Sequence, residues 1–198
     1  MTSSMGRAFA KFSLEHGVDP ERFKVVIAEA YGGGDRDGMV ARLERGELEL
    51  EEFEAWLAGE LMEGAAASLA ATGLKQRIFS GMQPDDRMVE VVRRLHRAGQ
   101  KTALLSNSWG ATGFERERFP DLFDDVVISA EVGMRKPEAE IYLLAAWRLG
   151  VGPAECVFVD DLEQNVEAAR AVGMTGMVHR NADFTIPKLE ELFGVPLS

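Results

Sequence analysis

From Asp85 onward the chain alternates short unbroken apolar runs with amphipathic helical patterns, and few architectures accept that alternation. The runs are "TALLSNS", "DVVISAEVG", "CVFVDD" and "TGMVH". The helical patterns are Met88, Val91, Val92 and Leu95; Ile141, Leu144, Ala145 and Leu149; "LEQNVEAARAVG"; and a last stretch around "IPKLEELFG". Strands without inside–outside alternation are buried on both faces, and helices between them supply the cover. The expected architecture is therefore an α/β layer: a Rossmann-like parallel sheet with helices on both faces.

In such sheets ligands bind beyond the carboxyl ends of the strands, so the polar residues at those ends matter most. The first run ends in Ser106-Asn107-Ser108. The second leads into "GMRKPE", with Lys136 before Pro137. The third ends in the adjacent carboxylates Asp160 and Asp161. Neighbouring negative charges at a strand's mouth repel, and burying either is costly unless something neutralises it. A hydroxyl, backbone amides and an ammonium suit a phosphate; paired carboxylates suit Mg²⁺, which takes one or two of them plus waters. Each residue alone has a plainer reading, as a helix cap, a turn residue or a solvated lysine. Their convergence on one edge points to magnesium-assisted phosphoryl chemistry.

The first 82 residues read differently. Met5, Ala8, Phe9 and Phe12 share a helical face. Phe23, Val26, Ile27 and Ala30 do so after "DPE", where Asp19 is an N-cap and Pro20 the first helical residue. Leu50, Phe53, Trp56, Leu57 and Leu61 form a third such face, followed by Gly64. This half is expected to be a small helical bundle, with a boundary between residues 82 and 83. The glycines at Gly32–Gly34 follow no strand and read as a turn.

Other chemistries are poorly supported. The 198 residues are 46% hydrophobic, enough for a packed core, and carry a net charge of -11, which argues against a nucleic-acid partner. No apolar run reaches the ~18–20 residues a bilayer requires, and no signal-peptide pattern opens the chain; no membrane association and a cytoplasmic location are expected. Cys156 is the single cysteine, inside an apolar run, and is expected to be inert. His16, His96 and His179 are scattered without ligand spacing and read as surface or packing residues.

At the strand-end residues the sequence resembles the haloacid dehalogenase-like hydrolase superfamily. "LLSNS" is similar to its second motif, the lysine of "GMRKPEAEIY" to its third and "VFVDDLEQN" to its fourth. "EVGMRKPEAEIY" is closest to the branch holding the N-terminal phosphatase domain of soluble epoxide hydrolases, and "RGELELEEFEAWL" resembles that branch's helical cap. The resemblance implies a helical cap over 5–82 and a core over 83–198, with 1–4 as the remnant of a first motif loop. It implies that Ser106 and Asn107 hydrogen-bond a phosphoryl group, that Lys136 bridges phosphate and carboxylates, and that Asp161 ligates Mg²⁺. Asp160 would hold Lys136 or a metal-bound water, with Asn165 behind them.

The family's first motif, a central strand ending in the nucleophilic Asp, has no counterpart before Ser4, and Asp19, Asp35 and Asp37 fall in the cap. The first core strand is thus expected to be missing and this chain inactive as written, with a true start upstream of Met1 favoured over a short protein. Such a sheet would expose strand edges between the Ser106 and Asp160 strands, so a homodimer is a possible remedy. The expected function is a Mg²⁺-dependent phosphatase acting on a small phosphorylated metabolite. The alternatives are a non-catalytic protein of this fold that binds a phosphorylated ligand or protein partner, and a haloacid dehalogenase, against which the carboxylate pair counts.

Overall fold

The computed structural model describes residues 5–32, 38–62, 69–110 and 116–197. The expected remnant at 1–4, Gly33, Gly34, Asp35, Asp37 and Gly64 lie outside those residues. Two compact units emerge: one takes in the chain up to Pro84 with Ser108–Gly110, the other Asp85–Asn107 and the chain from Ala111.

The first unit is helical. It contains α1 (Met5–His16), α2 (Pro20–Ala30), α3 (Met39–Glu44), α4 (Leu50–Leu61) and α5 (Leu74–Phe79). Helix α2 starts where the sequence places it, with the Asp19 carboxylate accepting from the Glu21 amide at 2.9 Å and Pro20 opening the helix. The apolar faces meet in one core that includes Phe12, Phe23, Val26, Phe53, Leu57 and Trp109. Phe53 and Phe79 each meet Trp109 edge-on at 5.0 Å, a favoured aromatic geometry. Two short helices, α3 and α5, are additions to the sequence reading. Gly38 opens α3 where the chain passes the end of α2 so closely that a Cβ would lie 2.6 Å from the Ala30 oxygen.

The second unit is the expected α/β layer. Its elements are α6 (Asp86–Arg97), β1 (Ala103–Ser106), β2 (Asp125–Ile128), α7 (Ser129–Val132), α8 (Ala139–Leu149), β3 (Val157–Asp160), α9 (Glu163–Ala171), β4 (Thr175–Val178) and α10 (Ala182–Phe193). All four apolar runs form strands. The second run is the exception in length: β2 stops at Ile128, and "SAEV" coils into the single turn of α7, ended by Gly133 at φ 69°. Helix α10 begins a turn earlier than Pro187 suggests, capped by the Asn181 side chain on the Phe184 amide at 2.8 Å.

The strands pair in parallel, β1 with β2 in register Leu104–Val126 and β3 with β4 in register Phe158–Gly176. Among the described residues β1 and β3 are not bonded to each other, so the sheet consists of two separate ribbons. Helices cover both faces. Val157, Val159 and Met177 pack with Met88 and Val91 of α6 and Ile186 of α10. Phe158, Leu105 and Val127 pack with Ile141 and Tyr142 of α8 and Ala169 of α9. Successive residues of β3 thus face opposite layers, as the pleat requires. Among the described residues no helix is long and apolar enough to cross a membrane.

Candidate active site

The carboxyl ends of β1 and β3 bring Ser106, Asn107, Lys136, Asp160 and Asn165 into one bonded network. Ser106 ends β1 half-buried, its hydroxyl donating to the Asn107 carbonyl at 3.2 Å. Asn107 faces the backbone of Lys136: its Oδ1 accepts from the Lys136 amide at 2.8 Å, and its Nδ2 donates to the Lys136 carbonyl at 2.9 Å. This double clamp fixes the loop after α7 against the end of β1.

Lys136 is only 8% exposed. Its stem crosses the Phe158 ring, with Nζ 5.6 Å from the centroid. Nζ donates to Asp160 Oδ2 at 2.6 Å and to the Leu105 carbonyl at 3.1 Å. One ammonium therefore ties the two ribbons together at their carboxyl ends. A buried ammonium is costly without a charged partner, and Asp160, 7% exposed, is that partner.

Asp160 is held on both oxygens. Oδ1 accepts from the Leu162 amide at 2.9 Å and from Asn165 Nδ2 at 3.1 Å, while Oδ2 takes Lys136. Burial alone would push this carboxyl up, but the Lys136 charge and hydrogen bond, helped by Leu162 and Asn165, more than offset it and hold it below its usual value. Asp161, the next residue, is exposed. The adjacent aspartates thus have different environments: one is buried in a salt bridge, the other open to solvent.

Three further residues border this network: Tyr142 and Phe158, which the sequence does not single out, and His179, expected only as a surface or packing residue. Tyr142, fully buried, donates its hydroxyl to the Asn165 carbonyl at 2.9 Å; burial, then the Asp160 charge, pushes that phenol well up. Phe158 lies between Tyr142, edge-on at 5.1 Å, and Lys136. His179 directly follows β4, gives its amide to the Asp160 carbonyl at 2.8 Å and pairs Nδ1 with Thr185 Oγ1 at 2.9 Å. Burial pushes the imidazole down, opposed by the charges of Asp85 and Asp161. Its place after a strand was a usable signal; the other two are strand and helix core by pattern. Cys156 keeps its expected character, with burial raising its thiol and Sγ directed at the Gly152 carbonyl.

Among the described residues no three His, Cys, Asp or Glu side chains cluster as a cage. With both Asp160 oxygens taken, the donor left at the β3 end is the solvent-facing Asp161 carboxylate, a hard oxygen ligand. That donor fits Mg²⁺, which keeps most of its waters.

The order of these residues along the chain, hydroxyl, lysine, then paired carboxylates, matches a known group. The family model for haloacid dehalogenase-like hydrolases matches residues 6–173. The chain belongs to the haloacid dehalogenase-like hydrolases. It is 27% identical over 211 residues to bifunctional epoxide hydrolase 2 of Sus scrofa, which covers all of this chain and 37% of the relative. The chain thus spans well under half the length of that protein. It is 33% identical over 157 residues to the sesquiterpene phosphatase astK of Aspergillus oryzae, covering 77% of this chain and 78% of the relative. Among solved structures, a haloacid dehalogenase family enzyme of Bacteroides thetaiotaomicron, in complex with magnesium and inorganic phosphate, superposes with a TM-score of 0.57 at 22% identity, over 82% of this chain and 87% of that one. For this member of the family, phosphatases are among the relatives and the α/β fold is common ground.

Proposed function

We propose that this chain carries the phosphate- and Mg²⁺-binding half of a phosphatase-type site for a small phosphorylated metabolite. The observation that carries the reading is the buried Lys136–Asp160 pair beside exposed Asp161. Asp160 is committed to Lys136, which leaves Asp161 as the direct Mg²⁺ ligand. Lys136, oriented by the Asn107 clamp, meets a phosphoryl oxygen and offsets its charge, and the Ser106 hydroxyl turns from the Asn107 carbonyl to donate to another. Asn107 acts mainly on Lys136 rather than on the phosphoryl group. Asn165 orients Asp160. Bound Mg²⁺ would neutralise charge on the phosphoryl oxygens and fix their orientation. Phosphatases among the sequence relatives support this reading over a dehalogenase.

Hydrolysis by the covalent route needs an attacking carboxylate. Among the described residues no aspartate ends a strand before Ser106, and Asp160 is occupied by Lys136. The 198-residue chain is therefore read as binding without turnover. A net charge of -11 disfavours nucleic acid, and the compartment is read as cytoplasmic.

Calorimetry decides the reading. Inorganic phosphate with Mg²⁺ is expected to bind the parent, and binding should fall sharply in Asp161→Asn and Lys136→Met. With p-nitrophenyl phosphate the 198-residue protein should give no turnover. Phosphate binding indifferent to both substitutions would remove the proposed site, and turnover abolished by Asp161→Asn would show that the nucleophile is present after all.

A further inference from the structure

We infer that Tyr142 is a positioning residue for the Lys136–Asp160 pair, acting through the first turn of α9. The inference rests on the phosphatase-type reading of that pair and names a residue that the reading does not use. Asp160 keeps its orientation only while two donors stay on Oδ1, the Leu162 amide and the Asn165 side chain. Both belong to the start of α9. That start has no side-chain cap of its own, because the N-cap position is held by Leu162. Helix N-termini without a capping side chain fray. Besides Asp160 itself, this turn is held by the Tyr142 hydroxyl on the Asn165 carbonyl, delivered from a neighbouring helix.

Tyr142 is 0% exposed and sits beside Ile141, also 0%, in the most buried part of α8. A phenol hydroxyl so placed must have a hydrogen-bond partner, and it is directed at one carbonyl. The same ring supports the other member of the pair. It meets the edge of Phe158 at an interplanar angle of 83°, and Phe158 in turn lies beneath the Lys136 ammonium. Tyr142 therefore reaches Asp160 through its hydroxyl and Lys136 through its ring. A ring alone would pack; the hydroxyl sets where the carboxylate points.

Tyr142→Phe separates the two roles, since it keeps the ring and removes only the donor. Amide exchange followed by NMR on the metal-free 198-residue protein reads the orientation directly. Exchange at the Leu162 amide and at the Asn165 side chain should rise roughly fivefold to tenfold, the loss expected for one buried hydrogen bond. Asn165→Ala removes the side-chain donor to Asp160 but keeps the backbone carbonyl that Tyr142 bonds, so Tyr142→Phe should still raise exchange at the Leu162 amide in that background. Ile141→Val, which trims a buried neighbour, should lower the melting temperature without singling out those two sites. Unchanged exchange at Leu162 and Asn165, loss of the Leu162 effect in the Asn165→Ala background, or the same pattern from Ile141→Val would each overturn the inference. Mg²⁺ titration supplies the second arm, with Tyr142→Phe weakening affinity about tenfold. If instead Asp161→Asn leaves Mg²⁺ binding untouched, the metal reading fails while the exchange experiment still judges Tyr142.

Discussion

The two aspartates at the end of β3 show how environment divides the labour of identical side chains. Asp160 is buried and bonded three times, by Lys136, Leu162 and Asn165; Asp161 faces water. A stability prediction follows from the direction of the Asp160 shift. Its carboxyl titrates below the ordinary 3.8 in the fold, so its contribution is fully present above that value and is lost as pH falls through the depressed one. Lys136→Met leaves a buried carboxylate with no cation, which costs about 3–5 kcal/mol in comparable pairs. At low pH the stranded carboxylate takes up a proton and most of that cost disappears. Urea denaturation of parent and Lys136→Met is therefore expected to show a large deficit at pH 7 and a much smaller one at pH 3. A deficit equal at both would mean that lost packing against Phe158, not charge, is what the substitution removes.

Among the secondary-structure elements, α5 shows why some of this fold could not be read in advance. Its N-cap is Gly73 at φ 71°, which offers no side chain. The cap comes from Glu54, nineteen residues upstream on α4: Oε2 accepts from the Gly73 amide at 2.9 Å and Oε1 from the Lys75 amide at 2.8 Å. In sequence Glu54 is one acid among several in "ELELEEFEAWL" and reads as solvated, yet it is 5% exposed. Glu54→Leu should destabilise the helical unit by about 3 kcal/mol, since it strips charge-assisted bonds from two half-buried amides. Fluorescence of Trp56 and Trp109 during denaturation reports on that unit, and a loss below a few tenths would show the cap to be dispensable. The contrast with the strands is physical. "TALLS" and "CVFVDD" declare themselves because an apolar run ending in polar residues has one reading between helices, and Ser106, Lys136 and Asp160 were legible for that reason. "SAEV" is too short to tell strand from turn. Tyr142 and Phe158 look like any core residues, because their importance lies in contacts made across tens of residues.

Across the whole molecule, the two ribbons leave a row of backbone groups to be accounted for. The flanking bonds, Asp124 amide to Thr102 carbonyl and His179 amide to Asp160 carbonyl, fix which residues face their partners. By alternation Leu104 and Ser106 point to β2, and Phe158 and Asp160 to β4. Ala103, Leu105, Val157 and Val159 then turn their amides and carbonyls to the other edges, where the Leu105 carbonyl accepts from Lys136 Nζ. The strands do not pair with each other among the described residues. Parallel edges that stay unpaired among the described residues, flanked by apolar side chains, are templates for another strand. A net charge of -11 opposes self-association at low salt, and screening removes that opposition within about 10 Å at 0.1 M salt. The protein is thus expected to be monomeric when dilute at low ionic strength and to associate as salt and concentration rise. Light scattering measures the mass, and amide exchange locates the contact: Ala103, Leu105, Val157 and Val159 should exchange faster than Leu104, Phe158 and Asp160 in the monomer and gain protection on association. A constant monomer mass at high salt, with those four amides already slow, would mean that both edges are covered within the single chain and that the ribbons need no partner.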